Sequence, residues 1–121
     1  MTYTAKQGDI IWLDFDPQTG NEQKRHRPVV VISNIDFNTI SKKAAFVCPI
    51  TSSDRGLPHH ICLDNRTKTS GVILTDQAKI LDISRRRAKY IEALPVDLLL
   101  ELVDIVYSFM HITELVRNEN R

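Results

Sequence analysis

Apolar residues along the first two-thirds of the chain fall in short runs of strand length, separated by turn formers. Gly8-Asp9-Ile10-Ile11-Trp12-Leu13-Asp14-Phe15 is rich in branched and aromatic residues, and Pro17 and Gly20 follow it: a strand, then a turn. Arg27-Pro28-Val29-Val30-Val31-Ile32-Ser33 is a second run, with Pro28 near its start, where a missing N–H is tolerated. Ala44 to Thr51 predicts a third strand, in which Pro49 marks a bulge or an edge. His59 to Asp64 predicts a short fourth. Gly71 to Thr75 and Ala78 to Ile83 predict a longer, bent fifth, and Ala88 to Ile91 a last short one. Many short strands punctuated by Gly, Asn, Asp and Ser imply a small antiparallel barrel or sandwich. Strands do not alternate with long helices, which argues against a doubly wound sheet.

The period changes after Leu94-Pro95. Val96 to Val116 contains no Gly or Pro, Pro95 suits a helix start, and Asp97 complements the dipole there. Leu98, Leu102, Ile105, Phe109, Ile112 and Val116 are spaced by threes and fours along one helical face. Leu99, Val103, Val106 and Met110 form a second row beside it. So wide a stripe fits either a well-buried helix or one that shares its face with a partner chain. No repeat or linker is visible, so a single domain over residues 1–121 is expected.

Composition narrows the class. At 42% hydrophobic and 26% charged, the chain is that of an ordinary globular protein, not a disordered or low-complexity one. The two cysteines, Cys48 and Cys62, are too few for a disulfide scaffold and lack C-x-x-C spacing; both are expected as small buried hydrophobes. Neither a signal peptide nor a membrane span is read from the sequence, so a cytoplasmic location is expected. The net charge of +1 conceals an asymmetry, with a basic excess before residue 92 and an acidic excess after it. Lys24-Arg25-His26-Arg27 and Arg85-Arg86-Arg87-Ala88-Lys89 are the dense basic points. They suit a phosphate-rich partner at a local site; the total charge is too low for a protein that coats nucleic acid.

The segment from Asp16 to His26 is long for a hairpin connection and gathers acid, base and imidazole groups. Here a resemblance enters. Gly8-Asp9-Ile10-Ile11-Trp12-Leu13-Asp14-Phe15-Asp16-Pro17, the pair Glu22-Gln23, and His26-Arg27-Pro28-Val29-Val30-Val31-Ile32-Ser33 resemble the opening signature of the MazF/PemK toxin family. Pro49-Ile50-Thr51, Gly56-x-Pro58 and Gly71-Val72-Ile73-Leu74-Thr75-Asp76-Gln77 continue it. The resemblance implies a mainly β chain, an SH3-like small barrel with a C-terminal helix, forming a homodimer. It implies a sequence-specific, metal-independent endoribonuclease toxin that cuts single-stranded mRNA with no cofactor. A MazE/PemI-like antitoxin restrains such toxins, and the toxin–antitoxin complex can bind operator DNA.

Cleavage without metal needs a base for the ribose 2′-hydroxyl, stabilisation of the pentacoordinate phosphate, and a proton for the departing 5′-oxygen. By resemblance Arg27 is the key catalytic residue. Its planar fork of donors and its permanent charge suit phosphorane stabilisation first. Thr51, in the Pro-x-Thr position, can donate a hydroxyl to a phosphate oxygen, and Ser52 beside it offers another. Glu22 is a candidate base if its pKa rises on RNA binding. His26 competes for that task, although strand alternation would turn it away from Arg27. Asp76 and Gln77 are candidates for RNA contact, Gln77 by reading a base edge. Lys24, Arg25, Arg85 and Arg86 are candidate phosphate contacts. Trp12 could stack on a base, but a tryptophan inside a strand is expected in the core. His26, His59, His60 and His111 show no metal-ligand spacing. Two other readings use the same architecture: a CcdB-like poison of DNA gyrase, and a nucleic-acid-binding module without catalysis.

Overall fold

The computed structural model describes residues 3–14, 26–53 and 56–113. Among them the chain runs β1 (Asp9–Asp14), β2 (His26–Val31), α1 (Ile35–Ser41), β3 (Ala44–Thr51), β4 (Ile61–Cys62), β5 (Val72–Ile73), a 3-10 turn (Thr75–Gln77), β6 (Lys79–Asp82), β7 (Lys89–Ala93) and α2 (Val96–Ser108). The strands form an antiparallel half-barrel sheet in the order β4-β5-β3-β2-β1-β7, and β6 also pairs with β3.

β3 organises the molecule. One edge pairs with β2 only from Val47 to Pro49. The other edge meets β6 from Ala44 to Val47 and then changes partner, pairing with β5 through Ile50 and Thr51. Pro49 stands at the change. Its carbonyl accepts from the Leu74 N–H, so its missing donor would have pointed to the edge that lies between two partners. Beyond Pro49, β3 has left β2 and follows β5, while β2 continues as Pro28, Arg27 and His26 paired to β1. The two strands therefore diverge, and a mouth opens between them.

Alternation along the strands builds two cores, one on each face. Ile10, Val30, Cys48, Ile50, Ile61 and Ile73 pack with Leu98, Leu102 and Val106 of α2. Ile11, Leu13, Val29, Val31, Ala45 and Val47 pack with Ala5 and Ile83 on the other face. α2 starts directly after Pro95 and is tied at its first turn by Arg66, whose guanidinium bridges Asp97 and Asp64. All three groups are exposed, so solvent screens this tie and it orients the helix start more than it stabilises the fold.

Several expectations change. The bent fifth strand is two strands, β5 and β6, separated by the 3-10 turn. Each satisfies a different half of β3. α1 was not foreseen. Asn34 caps it by accepting from the Phe37 N–H, and buried Asn38 anchors it by donating to the Ala5 and Ser33 carbonyls. α2 stops at Ser108, so Ile112 lies beyond it, exposed, and Val116 falls outside the described residues. Its buried line is Leu98, Leu102 and Val106, while Phe109 and Met110 are exposed. Cys48 is buried, its thiol pushed up to about 12 by burial and then by the charge of Asp76. Cys62, expected inside, is exposed on the short edge strand β4. No described helix is long and apolar enough to cross a membrane.

Candidate active site

The mouth between β2 and β3 is a groove of about 530 Å³. Trp12 of β1 and His26, Arg27 and Pro28 of β2 form one wall, and Ile50, Thr51 and Ser52 at the end of β3 form the other. The β4–β5 connection closes one side with Lys68, Thr69 and Ser70. The structure thus brings Arg27, Thr51, Ser52 and His26 to one cleft. Glu22, Lys24 and Arg25 lie outside the described residues.

Each wall residue owes its place to local pairing. Arg27 is exposed two residues before the β2–β3 ladder begins, opposite Leu13 of β1. Thr51 ends β3, and its Oγ1 accepts from the Ser53 N–H at 3.2 Å. That contact fixes the oxygen while the hydroxyl proton stays free to donate. The strand begins at His26, so alternation sets His26 and Arg27 on opposite faces, yet both border the groove. Nε2 of His26 is buried with no hydrogen-bond partner among the described residues. So is Oδ1 of Asp14, the residue opposite it in the β1–β2 register. Of the two, His26 lines the cleft, and an orphan ring nitrogen there suits a polar ligand.

Trp12 corrects an expectation. It is 40% exposed and lines the groove, its ring 6.3 Å from that of His26. A second hollow of about 480 Å³ shares Trp12 and His26 and adds Arg87 and Lys89. The second basic cluster therefore reaches the site through Arg87 and Lys89, not through Arg85 and Arg86. Arg86 donates instead to the carbonyls of Asp82 and Asp14. Asp76 and Gln77 do not line the groove either, and the carboxylate of Asp76 is held by His60. Lys68, Thr69 and Ser70 were missed, although the polar stretch before Gly71 with one lysine in it is a visible signal.

Glu92 of β7 holds that missed wall in place. Its carboxylate accepts from the Lys68 N–H (3.0 Å), the Thr69 N–H (2.8 Å) and the Thr69 hydroxyl (2.8 Å). Burial acts to raise its pKa, but those donors outweigh it and hold the carboxyl below its usual range. A depressed folded pKa means stability that is fully present above the unfolded value of about 4.3 and lost as pH falls through the folded one. Glu92→Gln should therefore lose about 1 kcal/mol at neutral pH. It should also show a shallower fall in melting temperature below about pH 5 than the parent, as followed by thermal unfolding across pH.

Comparison with known proteins is consistent with this geometry. Residues 6–109 match the profile of the family described as "PemK-like, MazF-like toxin of type II toxin-antitoxin system". The chain is 41% identical over 78 residues to the endoribonuclease toxin MazF of Escherichia coli K12, covering 64% of this chain and 68% of that one. The crystal structure of MazF from Deinococcus radiodurans superposes with a TM-score of 0.78 at 34% identity, covering 90% of this chain and 98% of the other. A MazE–MazF structure from the same organism superposes equally well, at 29% identity over 90% of this chain and 97% of that one.

Proposed function

The chain belongs to the PemK-like, MazF-like toxin family of type II toxin–antitoxin systems, and from that premise we propose a metal-independent cleavage of single-stranded mRNA. It is an endoribonuclease toxin, and its protein partner is a cognate antitoxin. The observation that carries the chemistry is the meeting of Arg27 and Thr51 on the walls of one open groove.

RNA lies along the groove with the scissile phosphate between those two side chains. The guanidinium of Arg27 binds two non-bridging oxygens and gains strength as charge builds on the phosphorane. The Thr51 hydroxyl donates a further hydrogen bond to one of those two oxygens. Glu22 or His26 takes the proton of the 2′-hydroxyl, which attacks the adjacent phosphorus as the bond to the 5′-oxygen breaks, and the departing oxygen takes a proton from solvent to leave as the 5′-hydroxyl. The products are a 2′,3′-cyclic phosphate, or the 3′-phosphate it hydrolyses to, and a 5′-hydroxyl. Trp12 offers a stacking face to a neighbouring base, and Lys68, Arg87 and Lys89 offer charge to flanking phosphates. The toxin acts in the cytoplasm as a homodimer, and the toxin–antitoxin complex binds operator DNA.

Incubating the purified protein with long single-stranded RNA, with and without EDTA, tests this reading. Discrete cuts bearing cyclic phosphate and 5′-hydroxyl ends are expected under both conditions. Binding without cutting would leave only the nucleic-acid module, and 5′-phosphate ends would rule out attack by the 2′-hydroxyl.

A further inference from the structure

Away from the groove, His59 and His60 before β4 meet Asp76 of the 3-10 turn, and the cleavage chemistry uses none of them. We propose that these three side chains bind one divalent transition-metal ion of the zinc class. The ion would clasp the segment before β4 to the turn after β5. One ligand atom from each residue lies within 4.8 Å of the others. Oδ1 of Asp76 is 2.8 Å from Nε2 of His60 and 3.8 Å from Nε2 of His59.

The second distance is too long for a hydrogen bond, and Nε2 of His59 is buried with no partner among the described residues. The His60 side chain is only 2% exposed, and its Nδ1 is likewise buried and unpartnered. Zinc bonds of about 2.0–2.1 Å in a tetrahedron set ligand atoms about 3.3 Å apart, between the two imidazole–carboxylate separations and inside the 4.8 Å that bounds the set, so ring rotations that draw the two imidazoles together seat the ion. Two imidazoles and one carboxylate select zinc-like ions over magnesium or calcium, which take oxygen ligands. Asp76 is 40% exposed on its side chain, which leaves a fourth position open to water.

The setting favours a cation. The His59 ring packs edge-on against Phe109 at the carbonyl end of α2, where the helix dipole is negative. The two segments already touch, since the Thr75 hydroxyl donates to the His59 carbonyl at 3.0 Å. One cost limits affinity. His60 must move its proton from Nε2 to Nδ1, which has no acceptor among the described residues, so affinity about 10- to 100-fold below that of a site with a supported ligand is expected. The clasp would also brace the site, because Leu74, just before the turn, bonds to Pro49 of β3 two residues from Thr51.

The test titrates ZnCl₂, and separately MgCl₂, into the EDTA-treated full chain by calorimetry and thermal unfolding. Absorption with CoCl₂ reports coordination geometry. One zinc per chain with a raised melting temperature, intense tetrahedral cobalt bands and no response to magnesium are expected. Asp76→Asn and His59→Gln, at positions that are not fully buried, should each weaken zinc binding at least about tenfold. No saturable zinc binding below millimolar, or parent affinity in a variant that combines Asp76→Asn with His59→Gln, would overturn the site. If a variant does not fold, weak octahedral cobalt bands in the parent would overturn it equally. RNA cleavage is measured in EDTA, so failure here leaves the nuclease reading intact, and the reverse also holds.

Discussion

Arg27→Ala is expected to slow RNA cleavage by at least about a thousandfold while the protein stays folded. An arginine that meets the charge developing on a transferring phosphoryl group is worth about 10³–10⁵ in rate, or about 4 kcal/mol and upward in barrier height. Arg27 stands exposed at the groove, at the end of β2 that pairs only with β1, so its removal opens no cavity. A surface substitution of this kind changes stability by about 0.5 kcal/mol or less. Arg27→Lys keeps the charge but loses the planar fork, and should recover only part of the rate. Single-turnover cleavage set beside circular-dichroism melting separates lost chemistry from lost fold. A folded Arg27→Ala protein that cuts at the parent rate would move the reaction to another part of the surface.

Gly71→Ala should damage the fold and the site together. Gly71 has φ +125°, a conformation that side chains rarely adopt, and a Cβ there would lie 2.3 Å from the Thr51 carbonyl oxygen. That oxygen belongs to backbone and cannot swing away, so the β3–β5 ladder that ends at Thr51–Val72 must part. A loss of about 3 kcal/mol is expected, lowering the melting temperature by roughly 10 °C. Cleavage should also fall at temperatures where the variant is still folded, because Thr51 is displaced. Gly56→Ala is the comparison: its φ is +68° but nothing lies within 4 Å of the added methyl, so only about 1 kcal/mol should be lost. Equal melting shifts in the two variants would contradict the close approach at Gly71.

What could be read from the residues alone was whatever local pattern determines. β3 was anticipated with its observed bounds, Ala44 to Thr51, because its run is apolar and β-branched. The start of α2 was marked by Pro95 and Asp97. Where tertiary pairing decides, the pattern was silent. The run from Gly71 to Ile83 reads as one strand, and only the change of partner along β3 splits it. α1, at seven residues, is too short to show a period and depends on buried Asn38, whose bonds reach back to Ala5. Trp12 sits in a strand whose neighbours are core. Its exposure arises because β3 departs from β2 beside it, which no spacing along β1 reveals. The same holds for His59, His60 and Asp76, which the β4–β5 pair folds together across sixteen residues. Alternation favours neither Arg85 and Arg86 nor Arg87 and Lys89 at the groove. The turn that places them carries a positive φ at Arg87.

In the proposed reaction the substrate's own 2′-hydroxyl, activated beside Arg27 and Thr51, is the nucleophile. Once a cut site has been mapped on long RNA, the most direct measurement compares two oligonucleotides spanning it in EDTA. One is all-ribose, and the other lacks only the 2′-hydroxyl at the nucleotide 5′ to the cut. Cleavage of the first to a 2′,3′-cyclic phosphate, with the second left intact but still bound, is the predicted result. Cutting of the deoxy-substituted strand at a comparable rate would contradict it.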